Sequence, residues 1–253
     1  MRHVIAGNWK MYKDSEQARK YFQELGSRAA PDASRVEVLM FPGFVALGSL
    51  ACQGVVPSWV SLGAQDVSSE PEGAFTGEVS PSMIKSAGGT FVLLGHSERR
   101  HVVGESDVLV RAKLLNAVQG GLSPVLCIGE SLKEREEGRV REVLFRQLDS
   151  ALAGACITPA MRLMIAYEPV WAIGTGVNAL PVQIDEAHAL VRERITELLG
   201  PGIARDVPIL YGGSIKPANF AEIIALKSVD GGLVGGASLS PVTFMELVTM
   251  AAG

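Results

Sequence analysis

A single carboxylate stands at the end of an apolar run. Leu163-Met164-Ile165-Ala166 reads as a buried strand that delivers Glu168 to its C-terminal end. Pro169 stops the strand, because it has no N–H to give a ladder. An apolar tip follows, Trp171-Ala172-Ile173, and then Gly174-Thr175-Gly176, where two glycines permit backbone angles that other residues avoid. A carboxylate beside an apolar, glycine-jointed loop suits a base that works under a lid. The same stretch also reads as an ordinary strand-to-helix connection with a solvated glutamate, and on its own it does not separate the two.

Three further residues carry compatible chemistry. Asn8 and Lys10 lie two apart after the run His3-Val4-Ile5-Ala6-Gly7, so in extended chain they point to one side. They would aim an amide donor and a cation at the same place, although a lone lysine also reads as a solvated rim residue. His96 follows Phe91-Val92-Leu93-Leu94-Gly95, and Ser97 is placed to cap the next helix with Glu98 in its first turn. A histidine at a helix N-terminus feels the positive end of the dipole, which disfavours the imidazolium. A neutral ring can donate to a substrate oxygen, although a lone histidine also reads as structural.

Those residues need elements to hold them. Short apolar runs alternate with amphipathic segments along all 253 residues. The strands expected are 3–7, 36–41, 59–64, 91–94, 124–128, 163–166, 208–211 and 229–234. The helices expected run from Ser15 to about Arg28, from Phe44 to Cys52, from Pro81 to Gly88, from Ser106 to Gly120, from Ser131 to Leu152 with a break near Gly138, from Pro181 to Leu199, from Pro217 to Leu226 and from Ser240 to Ala251. Crossovers of this length imply parallel strands. A dinucleotide fold wants a glycine-rich fingerprint after its first strand, and Gly7-Asn8-Trp9-Lys10 cannot serve. The expectation is one domain over 1–253, a closed (β/α)8 barrel of eight parallel strands ringed by helices.

A barrel places its chemistry where strands end. Two strands end in paired glycines, Tyr211-Gly212-Gly213-Ser214 and Val234-Gly235-Gly236-Ala237. Without side chains, backbone N–H groups can close on an anion, and in barrels that site commonly follows the last two strands. Gly174, Ser214, Gly235 and Gly236 thus form a candidate phosphate cradle. The set comprises a base (Glu168), polarising groups (Lys10, Asn8, His96), the cradle and a lid. It suits proton transfer beside a carbonyl on a small phosphorylated molecule.

Composition excludes other classes. The net charge of -4 and the absence of a Lys/Arg-rich run leave no nucleic-acid footprint. Four histidines and three cysteines show no metal-ligand spacing. Cys52, Cys127 and Cys156 are far apart and odd in number, which points to a reducing compartment. Cys52 and Cys156 read as small buried hydrophobes. No apolar run is long enough to span a membrane. A functional-looking motif by residue 8 leaves no room for a signal peptide, so the expected location is cytoplasmic.

Six stretches together resemble the triosephosphate isomerase family: Gly7 to Met11, Gly73 to Glu78, Gly95 to Arg100, Ala166 to Gly176, Tyr211 to Ser214 and Gly235 to Ala237. The family is itself a standard illustration of a histidine kept neutral for catalysis. The resemblance implies interconversion of dihydroxyacetone phosphate and glyceraldehyde 3-phosphate, a reaction of glycolysis and gluconeogenesis. It implies Glu168 as base, His96 as proton shuttle, Lys10 and Asn8 as stabilisers of the enediolate, and a lid over Trp171, Ala172, Ile173, Gly174, Thr175 and Gly176. It implies no cofactor and no metal. The loop 65–79, with Phe75 and Thr76, resembles an intersubunit loop and implies a homodimer. Ser97, Glu98, Arg99 and Cys127 resemble residues that support the site from behind or at the interface. Two departures stand out. Val177-Asn178-Ala179 replaces the usual lid hinge, and Tyr12 stands where Asn is usual, at a position expected to lie outside the reacting shell.

Overall fold

The computed structural model describes residues 2–155, 157–174 and 178–253. The expectations for Cys156, Thr175, Gly176 and Val177 lie outside the described residues. Eight parallel strands close into a barrel in sequence order: β1 (His3–Asn8), β2 (Val36–Phe41), β3 (Val60–Ala64), β4 (Gly89–Leu94), β5 (Ser123–Ile128), β6 (Met164–Tyr167), β7 (Ile209–Tyr211) and β8 (Gly231–Val234). Strand β1 pairs with both β2 and β8, which closes the ring and leaves no sheet edge.

The strands read as apolar runs because both of their faces are buried. One parity (Leu39, Phe41, Leu93, Val125, Cys127, Ala166, Leu210) fills the barrel interior. The other (Ile5, Val38, Met40, Val92, Leu126, Ile165, Ile209) packs outward against the helices. Each large side chain so buried contributes about 1.5–3 kcal/mol relative to exposure.

Among the described residues the helices are α1 (Ser15–Gly26), α2 (Phe44–Ala51), α3 (Pro81–Ser86), α4 (Asp107–Gln119), α5 (Leu132–Glu136), α6 (Val140–Leu152), α7 (Pro181–Ala204), α8 (Pro217–Ile224) and α9 (Pro241–Ala252). Several boundaries differ from the sequence expectation for physical reasons. Asp14, not Ser15, caps α1, exchanging hydrogen bonds with Gln17 in a capping box (2.8 and 3.0 Å). Helix α7 passes Leu199, with a kink at Gly200 (φ 78°) and a short continuation from Pro201. Cys52 ends α2 and is exposed, not a buried hydrophobe.

Ser97 is not a cap either. The turn after β4 starts from the His96 carbonyl, which accepts the N–H groups of Arg99 and Arg100 (2.8 and 3.1 Å). That frees the Ser97 N–H for another partner.

Candidate active site

Glu168 sits one residue past β6, and its N–H still donates to the Ile128 carbonyl at the end of β5 (2.7 Å). Its neighbours on both sides are glycines, for a steric reason. A Cβ on Gly129 would lie 1.8 Å from the Glu168 carbonyl oxygen, and one on Gly212 would lie 2.9 Å from Glu168 Cγ. The missing side chains let the carboxylate sink into the barrel mouth, where it is only 2 % exposed.

There Oε2 accepts the Ser97 N–H (2.8 Å) and Oε1 lies 3.0 Å from His96 Nε2. Burial raises the Glu168 pKa, but the charge and hydrogen bond of His96, the Ser97 N–H and Lys10 outweigh it and hold the carboxyl below its ordinary value.

His96 is buried and faces two carboxylates. The Glu98 N–H donates to its Nδ1 (3.3 Å), so in the neutral ring Nε2 carries the proton and donates to Glu168. Burial lowers the pKa of His96, yet the charge and hydrogen bond of Glu168, with Glu98 beyond, outweigh burial and raise it. This direction is opposite to the neutralising one expected from the helix start alone. It belongs to the resting contact with Glu168.

Asn8 and Lys10 reach the same mouth by a different route from the one expected. The chain between them is not extended. Strand β1 ends at Asn8, Trp9 turns fully into the core, and Lys10 takes a left-handed φ of 53°. The Lys10 N–H donates to Asn8 Oδ1 (2.9 Å), and the ammonium rests on Glu98 Oε1 (2.6 Å). Glu98 is about half exposed (48 %), so this ion pair is solvated and readily exchanged.

A cavity of about 540 Å³ collects these groups. Asn8, Lys10, His96, Glu168, Ile173, Gly174, Ser214, Gly235 and Gly236 all line it. The wall made by 212–214 and 235–237 is mostly backbone, and a short turn, Gly236–Leu239, starts there. Lys10 and Lys216 make the mouth locally cationic in an acidic chain.

The other expected residues lie around this centre. Trp171 donates its indole N–H to Glu130 Oε1 (2.8 Å), and Ala172 is wholly buried, so the expected lid tip is partly packed down. Arg99 bridges Asp66 (2.9 Å) and Glu105 (2.7 Å). Cys127 lies inside the barrel, where burial and the nearby Glu168 charge push its thiol pKa well up. That suits a packing role and not a nucleophile. Phe75 (47 % exposed) and Thr76 stand on the surface and do not line this cavity.

Tyr12 requires a correction. It lines the same cavity as Lys10, His96 and Glu168, because the left-handed turn at Lys10 leaves Met11 in solvent and brings Tyr12 to the mouth.

Two groups escaped the sequence reading. Glu130 is fully buried and accepts from Tyr167 Oη (3.1 Å), Trp171 Nε1 (2.8 Å) and Arg135 (3.1 Å), tying the lid's first turn to β5 and β6. Its signal was its place right after β5, two residues past Ile128. Behind Arg99, the Lys113 ammonium joins Asp66 (2.7 Å) and Glu105 in a buried charge cluster, and burial raises the Asp66 pKa. Among the described residues no cluster of His, Cys, Asp and Glu could hold a metal ion, and no helix is long and apolar enough to cross a membrane.

Comparison with known proteins gives the family. The profile of the family described as triosephosphate isomerase matches residues 3–251. The chain belongs to the triosephosphate isomerase family. It is 51% identical over 253 residues to the triosephosphate isomerase of Nitratidesulfovibrio vulgaris (strain Miyazaki F), covering 98% of this chain and 99% of that one. It is 47% identical to the enzyme of that name from Symbiobacterium thermophilum (98% of this chain, 96% of that one). The corresponding figure for Thermus thermophilus is 44% (99% of each).

Proposed function

We propose that this chain interconverts dihydroxyacetone phosphate and D-glyceraldehyde 3-phosphate through an enediolate, as an intramolecular aldose-ketose isomerase of glycolysis and gluconeogenesis. The observation that carries the reading is one buried carboxylate, Glu168, held against His96 at the wall of a cavity that Lys10 makes cationic.

Glu168 leaves the Ser97 N–H and His96 and takes the proton from the carbon beside the carbonyl. It then returns that proton to the neighbouring carbon, while His96 carries the hydroxyl proton from one substrate oxygen to the other, so that the hydroxyl and carbonyl change places. When Glu168 turns to the substrate, its upward pull on His96 goes with it. Burial, the largest influence on the ring, and the Glu98 N–H on Nδ1 then favour the neutral form against the remaining pull of the Glu98 carboxylate, and Nε2–H donates to the substrate oxygen. Lys10 exchanges Glu98 for the substrate's negative charge, with Asn8 beside it. The backbone around Ser214, Gly235 and Gly236 receives the phosphate. Closure of the segment from Trp171 to Gly176 removes water, which strengthens these interactions and protects the enediolate. The scheme uses no cofactor, because the proton returns to the same molecule.

We read the chain as one barrel domain that works as a homodimer in the cytoplasm. The dimer is supported by an apolar groove that Met11 (99 % exposed), Phe44, Val102 and Val103 line together, and by the exposed Phe75 elsewhere on the 65–79 loop. A monomeric mass in sedimentation would overturn it. The cytoplasmic location is supported by the free thiols of Cys52 and Cys127 and by the proposed reaction; recovery in an exported fraction would contradict it. Two separate unfolding transitions in calorimetry would contradict the single domain.

The test is isomerisation of glyceraldehyde 3-phosphate by the purified protein, coupled to an NADH-linked dehydrogenase. Fast turnover is expected, and Glu168→Gln should lower kcat about a thousandfold or more. No turnover, with phosphate still bound, would favour a non-catalytic phosphate-binding barrel.

A further inference from the structure

We propose that Gln65 is a positioning residue that sets Lys10 at the mouth of the cavity and thereby sets substrate affinity. The inference rests on the reading of Lys10 as the group that meets the substrate's negative charge.

Gln65 is the first residue past β3. Its side-chain nitrogen donates to two backbone carbonyls, Lys10 O and Phe41 O, at 2.8 Å each. Both partners are acceptors, so the orientation of the amide is fixed and both of its hydrogens are used. Phe41 is the last residue of β2, so one amide ties together the ends of three neighbouring strands.

Lys10 needs such a hold. Its φ of 53° lies in the left-handed region, where its Cβ crowds the following carbonyl. The peptide on its N-terminal side is held by Asn8 Oδ1, and the peptide on its C-terminal side by Gln65. If the second hold is lost, relaxation to negative φ swings Cβ and the ammonium away from the cavity. The contact with Glu98 does not prevent this, because Glu98 is half exposed and moves with solvent. Gln65 is not among the described residues that line the 540 Å³ cavity, so it acts through Lys10 and not on the substrate. It borders an adjoining groove of about 720 Å³ that shares Asn8, Lys10, Tyr12 and His96 with that cavity.

The experiment is a double-mutant cycle with Lys10→Ala. Two changes remove the donors, Gln65→Met and Gln65→Leu, so the second carries the test if the first fails to fold. In the wild-type background each should lower kcat/KM for glyceraldehyde 3-phosphate by roughly 10- to 100-fold, mostly as a raised KM, the scale expected when a reacting group is displaced by about an ångström. In the Lys10→Ala background the same changes should cost less than about twofold, since the group they position is gone. Calorimetric binding of inorganic phosphate gives the same cycle without turnover. Equal losses in both backgrounds would show a general structural role and sink the inference, as would no loss in the wild type. Unchanged kinetics and phosphate binding in Lys10→Ala itself would instead sink the reading of the site, and this inference with it.

Discussion

At the N-terminal end of the barrel Glu37 is held by two guanidiniums, whereas at the C-terminal end Glu168 is held by an imidazole and a peptide N–H. Glu37 shares the parity of Leu39 and Phe41 and so faces the barrel interior. Arg162 Nη2 contacts both of its oxygens (2.9 and 2.6 Å), and Arg2 adds a third contact (2.8 Å). Arg162 also lies over the Phe91 ring (5.3 Å to its centroid). Guanidiniums do not deprotonate in proteins, so this charge stays paired throughout. At the other end each partner is exchangeable. His96 can become neutral, the Ser97 N–H can be given up, and Lys10 can trade Glu98 for another anion. The same residue type is a fastener where its partners are permanent and a reagent where they are not.

The largest expected effects separate the cations of the two ends. Lys10→Ala should lower kcat/KM by roughly 100-fold, the scale of a lost hydrogen bond to a charged group, with little change in melting temperature. Arg162→Met should do the reverse. It should cost about 2–3 kcal/mol of stability, since it leaves a mostly buried carboxylate short of a partner, and leave kcat within about twofold. Steady-state kinetics and urea unfolding on both proteins would show it; a kinetic defect in Arg162→Met would blur the division.

Gly129→Ala should join the two kinds of effect. Its Cβ would meet the Glu168 carbonyl, so the chain must shift where the base is seated. Overpacking of this kind costs about 1–3 kcal/mol, and kcat should fall with it. A variant with unchanged kcat would mean that the backbone at Glu168 tolerates displacement, contrary to the tight seating described above.

The smallest effect concerns His188, buried on α7 and unused by the chemistry. Its Nδ1–H donates to the Ser228 carbonyl (2.9 Å), its Nε2 is buried without a partner among the described residues, and burial lowers its pKa to about 4. The unfolded chain therefore binds a proton that the folded one refuses between the ordinary histidine value and about 4. Its contribution is fully present above the ordinary value and is lost as pH falls through the folded one. From pH 7 to pH 5 this amounts to roughly 2 kcal/mol. Urea unfolding at both pH values should show a steeper loss in the wild type than in His188→Phe. Equal losses would mean that His188 does not titrate in this range.

Much of this was legible in the sequence. Continuous apolar runs bounded by Gly and Pro located the eight strands, and strand ends bearing Glu168, His96, Lys10 and paired glycines located the cavity. What was not legible depends on contacts between distant strands. Nothing near Gly129 or Gly212 in sequence says that each lies against Glu168. The left-handed turn at Lys10, which brings Tyr12 to the cavity, is made by a residue type that rarely adopts it. Glu37 reads as an irregularity in an apolar strand until Arg162, 125 residues away, is seen to meet it. Cys52 was misplaced because its burial depended on where α2 ends.

The most direct measurement makes one chemical change at both ends. Glu168→Gln and Glu37→Gln each replace a buried carboxylate by its amide, and kcat and the thermal midpoint are read for both. Glu168→Gln should lose about a thousandfold in kcat and keep its midpoint within a few degrees, while Glu37→Gln should lose stability and keep its kcat. Equal kinetic losses, or full turnover in Glu168→Gln, would contradict the assignment of Glu168 as the base.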